Sequence, residues 1–216
     1  MDKALIIIKS PGIGDLQILL SNIHHISKEI GKPVSILAQK TTGAKSVFKH
    51  DKHVDEVIDL GRKDFLNIVN KIKFKKFNEC YIFSDSFRLW LIAKLAGISK
   101  IYHYPFFSKK FANFYKTAKE FTEKILQKKI DSVSRIYWDK TSVEKAKKDY
   151  DIQNNVKNIL CGISASGPTK RWDINNYIKL FQEINSKSQC KFFLFGGKDD
   201  EILIEKVMSS VSNCVS

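Results

Sequence analysis

The chain has 216 residues, of which 43% are hydrophobic, enough for a folded core and too many for general disorder. Lys and Arg number 37 against 23 Asp and Glu, and the resulting net charge of +14 would attract polyanions such as nucleic acid, anionic lipid or phosphorylated glycolipid. Most of the excess is lysine, which is equally typical of a solvated surface, so charge alone selects no partner. No run approaches the roughly 20 apolar residues of a membrane span. The four scattered cysteines are typical of buried thiols in a reducing cytoplasm, not of disulfides or zinc ligands.

Apolar runs alternate with amphipathic segments through the first half of the chain. The run Ala4–Ile8 is typical of a buried parallel strand that ends in a Pro/Gly turn. From Asp15 onward, apolar residues recur at helical spacing, and Gly31 stands where a helix C-cap belongs. The same alternation continues to residue 103 and predicts a doubly wound parallel sheet. Further strands are expected over 34–38, 57–60, 81–83 and 101–103, and further helices over 41–48, 65–72 and 87–96.

The alternation stops after residue 103 and resumes near residue 159. Helical patterns cover 118–129 and 142–150, and the polar stretch 151–158 is typical of a linker. Strands over 159–163 and 191–195 then alternate with helices over 174–184 and 201–208, too few elements for an independently closed α/β domain. We therefore predict two Rossmann-like parallel-sheet domains facing a cleft, residues 1–154 and 155–216, with the second domain incomplete.

The first strand–loop–helix turn, residues 10–15, places a carboxylate at the start of a helix. It is not a dinucleotide fingerprint, because Gln17 stands where the third glycine belongs, and no Gly-Lys-Ser/Thr follows to make a phosphate-binding P-loop. Gly12 and Gly14 are expected to shape this loop. Asp15 has two compatible interpretations: a helix N-cap, the commoner role of such an aspartate, or a general base that the helix dipole holds ionised.

The second turn, residues 164–172, combines small residues with two cations. Ser166 and Gly167 leave backbone amides accessible, and Lys170 and Arg171 come just before a predicted helix N-terminus. Free amides, a helix dipole and a lysine are typical of a diphosphate site. This interpretation is slightly favoured over a lysine-rich surface turn.

Two further patterns are less specific. Asp200 and Glu201 follow an apolar strand and a Gly-Gly turn, where an acidic residue can bind ribose hydroxyls, although acids at a helix start are common for electrostatic reasons alone. The basic aromatic stretch 105–119 could contact an anionic membrane surface, bind an acidic acceptor, or simply pack its rings with lysines outward, which is the default. None of the five histidines forms a His-Glu-x-x-His motif, so no metal site is expected.

Together these segments resemble the ADP-heptose:lipopolysaccharide heptosyltransferases of glycosyltransferase family 9, which have a GT-B fold. The resemblance implies inverting transfer of a sugar from an ADP-activated donor, heptose in that family, to a lipopolysaccharide-core or related glycolipid acceptor. It matches Asp15 to the catalytic base, Lys170 to the lysine of the donor diphosphate and Ser166 to a hydroxyl beside the phosphates. Asp200, or else Glu201, matches the acid that holds the donor ribose. The motifs that carry it are Ser10-Pro11-Gly12-Ile13-Gly14-Asp15-Leu16, Val54-Asp55-Glu56-Val57, Ser166-Gly167-Pro168-Thr169-Lys170-Arg171-Trp172 and Phe195-Gly196-Gly197-Lys198-Asp199-Asp200.

One departure concerns a downstream Asp-Ser/Thr-Gly-x-x-His loop that holds the donor phosphates in the family. The chain ends before any such loop, which predicts an incomplete donor pocket and leaves the activity of this length of chain to experiment. The resemblance implies a nucleotide-sugar donor, ADP-heptose in the family's usual chemistry, with no cofactor and no metal. It also implies an anionic glycolipid acceptor, no dedicated nucleic-acid partner, and a cytoplasmic location with peripheral membrane contact left open. The alternative is a non-catalytic basic α/β module that binds nucleic acid or anionic lipid.

Overall fold

A computed structural model of the chain describes residues 3–10, 12–61, 65–106, 113–165 and 167–216. Its contacts divide the chain into two units, Met1–Asp139 and Lys140–Ser216. This division precedes the predicted boundary after residue 154, because the 140–151 segment is tied to the second unit. Lys191 Nζ donates hydrogen bonds to the backbone carbonyls of Tyr150 and Asp151 at 2.7 Å and 3.0 Å.

The first unit is built on a five-stranded sheet in the order β3-β2-β1-β4-β5, in which every neighbouring pair is parallel. The parallel sheet predicted around the first strand is therefore confirmed. Its strands are β1 (Ala4–Ile8), β2 (Val34–Ala38), β3 (Val54–Asp59), β4 (Glu79–Phe83) and β5 (Lys100–His103). The helices of the unit are α1 (Ile13–Ile30), α2 (Ala44–Val47), α3 (Phe65–Lys75), α4 (Phe87–Leu95) and α5 (Phe114–Leu126).

Helices cover both faces of this sheet, which explains why β1 is an unbroken apolar run. Ile6 and Ile8 share one hydrophobic core with residues of α1 and α5. Leu5 and Ile7 share the other core with residues of α3 and α4. The chain therefore leaves β1 toward one face of the sheet and leaves the neighbouring β4 toward the other. The gap between these two strands is the topological switch point, where α/β proteins bind their ligands.

The helix predicted over 41–48 is instead two short turns. A 3-10 turn at Lys40–Thr42 is followed by the single-turn helix α2, and Gly43 between them has φ 67°. Glycine adopts this left-handed conformation without steric cost, so the helical path is broken there.

The second unit contains a smaller parallel sheet in the order β6-β7-β8. Phe192 packs with Phe181 and Val207, which buries one face of this sheet beneath two helices. On the other face Leu160 and Phe195 are 70% and 54% exposed. The elements of the unit are α6 (Lys140–Asp149), β6 (Lys157–Gly162), α7 (Ile174–Lys187), β7 (Cys190–Phe195), α8 (Glu201–Ser210) and β8 (Cys214–Val215).

The sequence pattern predicts two strands in this part of the chain, and this is wrong because the structure has a third strand, β8. A strand of two residues is too short to show a period of hydrophobicity. The cysteine prediction is partly confirmed: all four are free thiols, with Cys80 and Cys190 buried and Cys161 and Cys214 half-buried. Within the described residues, no helix combines the length and apolarity needed to cross a bilayer.

A buried polar cluster joins α1 to the turn before β3. His24 Nε2 lies 2.7 Å from Asp51 Oδ2, and the imidazole rings of His24 and His53 are 4.9 Å apart. His53 Nδ1 contacts Ser27 Oγ at 3.2 Å, the Tyr137 ring packs against both imidazoles, and His53 Nε2 has no hydrogen bond to any described residue. Burial, assisted by the positive charges of His24 and the nearby lysines and opposed by Asp51, lowers the pKa of His53.

We expect the first unit to lose stability as the pH falls through about 6.5, the ordinary histidine pKa. Because the folded pKa of His53 is lowered, the unfolded chain binds a proton there that the folded chain does not. The stability that neutral His53 contributes is present above the unfolded pKa and is lost as the pH falls toward the folded pKa. Denaturant unfolding at about pH 7.5 and about pH 5.5 measures the loss. His53→Gln should lose less stability across this interval than the wild type, and an equal loss would contradict the assignment.

Candidate active site

The loop between β1 and α1 is the candidate site of the first unit and lies at the switch point of its sheet. Asp15 is the third residue of α1 and is partly buried, and the Ser10 hydroxyl donates a hydrogen bond to its Oδ2. The N-cap of α1 is Gly12, which makes no side-chain cap. The N-cap interpretation of Asp15 is therefore wrong: a serine holds its carboxylate within the positive end of the helix dipole.

The sequence predicts that Gly12 and Gly14 shape this loop, but the backbone requires glycine at neither position. Gly12 has φ −90° and ψ 142°, an extended conformation open to any residue, and Gly14 lies within α1. A Cβ added at Gly14 would meet no atom within 4 Å. The missing side chain at Gly14 leaves open space beside the first turn of α1, whose N–H groups have no partner within the helix.

The loop between β6 and α7 is the candidate site of the second unit. Lys170 ends a 3-10 turn in which its N–H donates to the Gly167 carbonyl at 3.0 Å. Its side chain is exposed and has no salt-bridge partner among the described residues. The N-cap of α7 is Asp173, whose Oδ1 accepts from the Asn175 N–H at 2.8 Å. Lys170 is therefore a surface cation near a capped helix start, available to an anionic ligand.

Arg171 ties this loop to the loop that follows β7. Its Nε donates to the Ala165 carbonyl at 2.9 Å, and its Nη2 lies 3.6 Å from Asp200 Oδ1. Asp200 is only 3% exposed, and its Oδ2 accepts from the Gly197 N–H at 2.8 Å. Hydrogen bonds from Ser164 and Gly197, together with the charge of Arg171, lower the pKa of Asp200. Asp200 is thus an ionised internal anchor shared by two loops.

The two carboxylates predicted as ribose ligands differ in accessibility. Asp200 is buried and contacts Arg171 and the Gly197 N–H. Glu201 is exposed at the first position of α8. Glu201 also lines a cavity of about 560 Å³ together with Gly196 and Gly197. Of the two, only Glu201 presents a carboxylate to solvent, a difference that sequence spacing alone could not reveal.

Gly196 allows the chain to pass close to Asp200. A Cβ at this position would lie 2.9 Å from Asp200 Cβ and 3.1 Å from Ile204 Cδ1. We expect Gly196→Ala to destabilise the second unit by about 1–3 kcal/mol, because the contact with Asp200 Cβ cannot relax without moving the loop. Gly197→Ala is the matched control, since its nearest neighbour would be Asp200 Oδ2 at 3.4 Å, an ordinary van der Waals distance. Denaturant unfolding of both variants measures the difference, and equal losses would argue against the close approach.

Two features predicted for the site remain predictions. Ser166 lies outside the described residues, so its place beside the donor phosphates is untested. Within the residues that the structure describes, no group of three or more His, Cys, Asp or Glu side chains is arranged to hold a metal ion. The requirement for metal is a question for the assay proposed below.

Solved structures of sugar transferases share this fold. Escherichia coli ADP-heptose lipopolysaccharide heptosyltransferase II has 14% identity and a TM-score of 0.74, over 98% of this chain and 71% of that chain. A family 9 glycosyl transferase from Veillonella parvula has 13% identity and a TM-score of 0.74, over 98% of this chain and 67% of that chain. E. coli heptosyltransferase WaaC with ADP-2-deoxy-2-fluoro heptose has 9% identity and a TM-score of 0.69, over 98% of this chain and 75% of that chain.

These matches confirm the predicted fold class: an α/β protein of GT-B type with two Rossmann-like parallel-sheet units, the second of them smaller. The family model for glycosyltransferase family 9 (heptosyltransferase) matches residues 81–215, more than half of the sequence. The chain therefore belongs to glycosyltransferase family 9. A search of curated protein sequences gave no match.

Proposed function

We propose that the protein transfers heptose from ADP-heptose to a lipopolysaccharide-core or related glycolipid acceptor with inversion at the anomeric carbon. Membership of family 9 supports sugar transfer in general. The heptosyl donor is supported by the fold shared with WaaC, whose structures contain ADP or ADP-2-deoxy-2-fluoro heptose. The observation that carries the proposal is a serine-held carboxylate, Asp15, at the switch point of the first sheet.

In this proposal Asp15 is the general base. The acceptor hydroxyl oxygen attacks the anomeric carbon, its proton passes to the Asp15 carboxylate, and the bond from that carbon to the diphosphate oxygen breaks to release ADP. A carboxylate suffices as the base because the transition state at an anomeric centre is oxocarbenium-like and the acceptor proton leaves late.

The second unit supplies the groups proposed for the donor. Lys170 offsets the negative charge that grows on the departing diphosphate, as a positioned cation does in phosphate-leaving reactions. Accessible amides around Ser166 and Gly167 bind the same phosphates. Glu201 accepts hydrogen bonds from the ribose hydroxyls, while Asp200 and Arg171 hold the two loops in place. With cations of the protein in this role, the proposed reaction needs no metal and no cofactor.

The acceptor and location form part of the same proposal. An anionic glycolipid acceptor suits a chain with a net charge of +14, which would also favour contact with an anionic membrane surface. We therefore place the protein in the cytoplasm, in peripheral contact with the inner face of the membrane.

The test is sugar transfer from ADP-heptose to lipopolysaccharide acceptors truncated in the core, run with a chelator, with the anomeric configuration of the product read by NMR. We expect transfer with inversion and no loss of rate in the chelator. A retained configuration would contradict the mechanism, and abolition by the chelator would contradict metal independence. Absence of transfer together with tight binding of nucleic acid or anionic vesicles would favour a non-catalytic basic module instead.

A further inference from the structure

Four aromatic side chains meet beyond the carboxyl ends of β4 and β5. The rings of Phe87 and Trp90 on α4 stack with centroids 5.5 Å apart, and those of His103 and Phe106 stack at 4.1 Å. Phe106 joins the two pairs through edge contacts at 5.7 Å to Phe87 and 6.0 Å to Trp90. Phe87 is nevertheless 56% exposed. An ordered group of rings thus keeps part of its apolar surface in contact with solvent.

The strand register places this aromatic cluster beside the switch point. Ile8 of β1 pairs with Phe83 of β4, and Ile82 of β4 pairs with His103 of β5. The ends of the three strands therefore lie in one row, at the edge where β1 leads into the Asp15 loop. With neighbouring strands about 4.8 Å apart, the row from β1 to β5 is about one sugar ring or two in width.

In open α/β sheets, a crevice is expected beyond this row of strand ends, between the helices on the two faces. Because α1 packs on one face of the sheet and α4 on the other, the Asp15 loop and the aromatic cluster border it from opposite sides. Ligand sites in open α/β sheets occupy this position and are commonly lined by aromatic side chains with a few polar groups.

Polar acceptors accompany the rings. His103 Nδ1 lies 2.6 Å from the Tyr104 carbonyl oxygen, which can only accept, so Nδ1 carries the hydrogen. The Nε2 of a neutral His103 is then an acceptor, and no described residue donates to it. Asp85, at the same edge, is exposed. A lipid tail would use the rings alone, whereas a saccharide uses both features: its C–H groups contact the electron-rich ring faces and its hydroxyls donate to nearby acceptors.

We propose that Phe87, Trp90, His103 and Phe106 form a platform on which a sugar ring of the acceptor stacks. The proposal rests on the proposed function, because a transferase must hold its acceptor hydroxyl beside the base. It adds a recognition surface on the α4 side of the crevice, opposite the residues that perform the chemistry.

Binding of a lipid-free saccharide tests the platform without catalysis. Deacylated lipopolysaccharide truncated in the core is titrated into the protein while tryptophan emission is recorded. We expect the saccharide to change the emission of the wild type and not that of Trp90→Phe, which retains an aromatic ring. Phe87→Ala should weaken binding about three- to tenfold, the effect of losing one aromatic contact.

The matched control is Phe74→Ala. Phe74 is 87% exposed in the same unit, near the end of α3, which leads to the start of β4 and hence to the opposite edge of the sheet. This variant should bind the saccharide as the wild type does. Unchanged unfolding midpoints for both alanine variants would exclude a folding defect as the cause of weaker binding.

The outcomes separate this inference from the proposed function. Saccharide binding that is equal in wild type and Phe87→Ala would overturn the platform even if sugar transfer is found. Saccharide binding that depends on Phe87, without any sugar transfer, would support the platform and contradict the proposed transferase activity. Binding of intact lipopolysaccharide vesicles but not of the deacylated saccharide would assign the cluster to lipid and overturn the proposal. Where transfer occurs, Phe87→Ala should raise the acceptor KM and leave the donor KM unchanged.

Discussion

Replacing Asp15 with asparagine is expected to lower kcat by about 10²–10⁴-fold while donor affinity stays nearly unchanged. Asparagine has the size of aspartate and its carbonyl oxygen can still accept the Ser10 hydrogen bond, but it cannot take up the acceptor proton. The proposed donor ligands all lie in the second unit, so the ground-state binding of the donor should not depend on this carboxylate. Steady-state kinetics and calorimetric titration with the ADP-sugar measure the two effects separately.

Ser10→Ala is the companion variant for this experiment. It keeps the carboxylate and removes the hydroxyl that holds it, so we expect a smaller loss of kcat than in Asp15→Asn. The unfolding midpoint of each variant shows whether the start of α1 is intact. Undiminished kcat in Asp15→Asn would remove Asp15 as the base.

Replacing Lys170 with alanine is expected to weaken donor binding and to lower kcat as well. The diphosphate is charged in the ground state and becomes more so as the sugar departs, so a cation beside it acts at both stages. Hydrogen bonds to charged groups are worth about 1.5–3 kcal/mol, which corresponds to a loss of about 10- to 100-fold in kcat/KM for the donor. Donor titration and kinetics on the same preparation measure both parts.

Lys206→Ala is the control for overall charge. Lys206 is an exposed lysine of the second unit on the last turns of α8, away from the loop that carries Lys170. This variant should keep the donor affinity of the wild type. If both lysine variants lose the same affinity, the effect comes from the general positive field of the unit and not from a diphosphate site.

Much of the fold could be predicted because the sheet of the first unit is buried on both faces. Burial forces a strand such as β1 to be wholly apolar, and the helices that cover it show the helical period, so both kinds of element are visible locally. The two candidate loops, one in each unit, could be recognised for a related reason. Each follows an apolar strand and precedes an amphipathic helix, and this order places a loop at the carboxyl edge of a parallel sheet.

The remaining features depend on contacts between distant residues. Asp200 and Glu201 are adjacent acids that the sequence cannot tell apart. Only their contacts in the fold show that Asp200, bound by Arg171 and Gly197, is the buried anchor and Glu201 the exposed acid. The aromatic cluster is missed for the same reason, since Phe87 and Phe106 belong to loops after different strands. A phenylalanine at the exposed start of a helix was the available signal, and it becomes informative only once the strand order is known.

The helices α1 and α4 cover opposite faces of the sheet, and this arrangement also bears on how such a protein evolves by amino-acid substitution. The residues beneath the two helices belong to separate hydrophobic cores on opposite faces of the sheet, so side chains under one helix are not packed with those under the other. Effects of mutations at distant sites without shared partners are nearly additive. Under the proposed function, acceptor preference would change through substitutions on the α4 side while the proton chemistry on the α1 side is kept. One scaffold would in this way give rise to enzymes that differ in the sugars they extend.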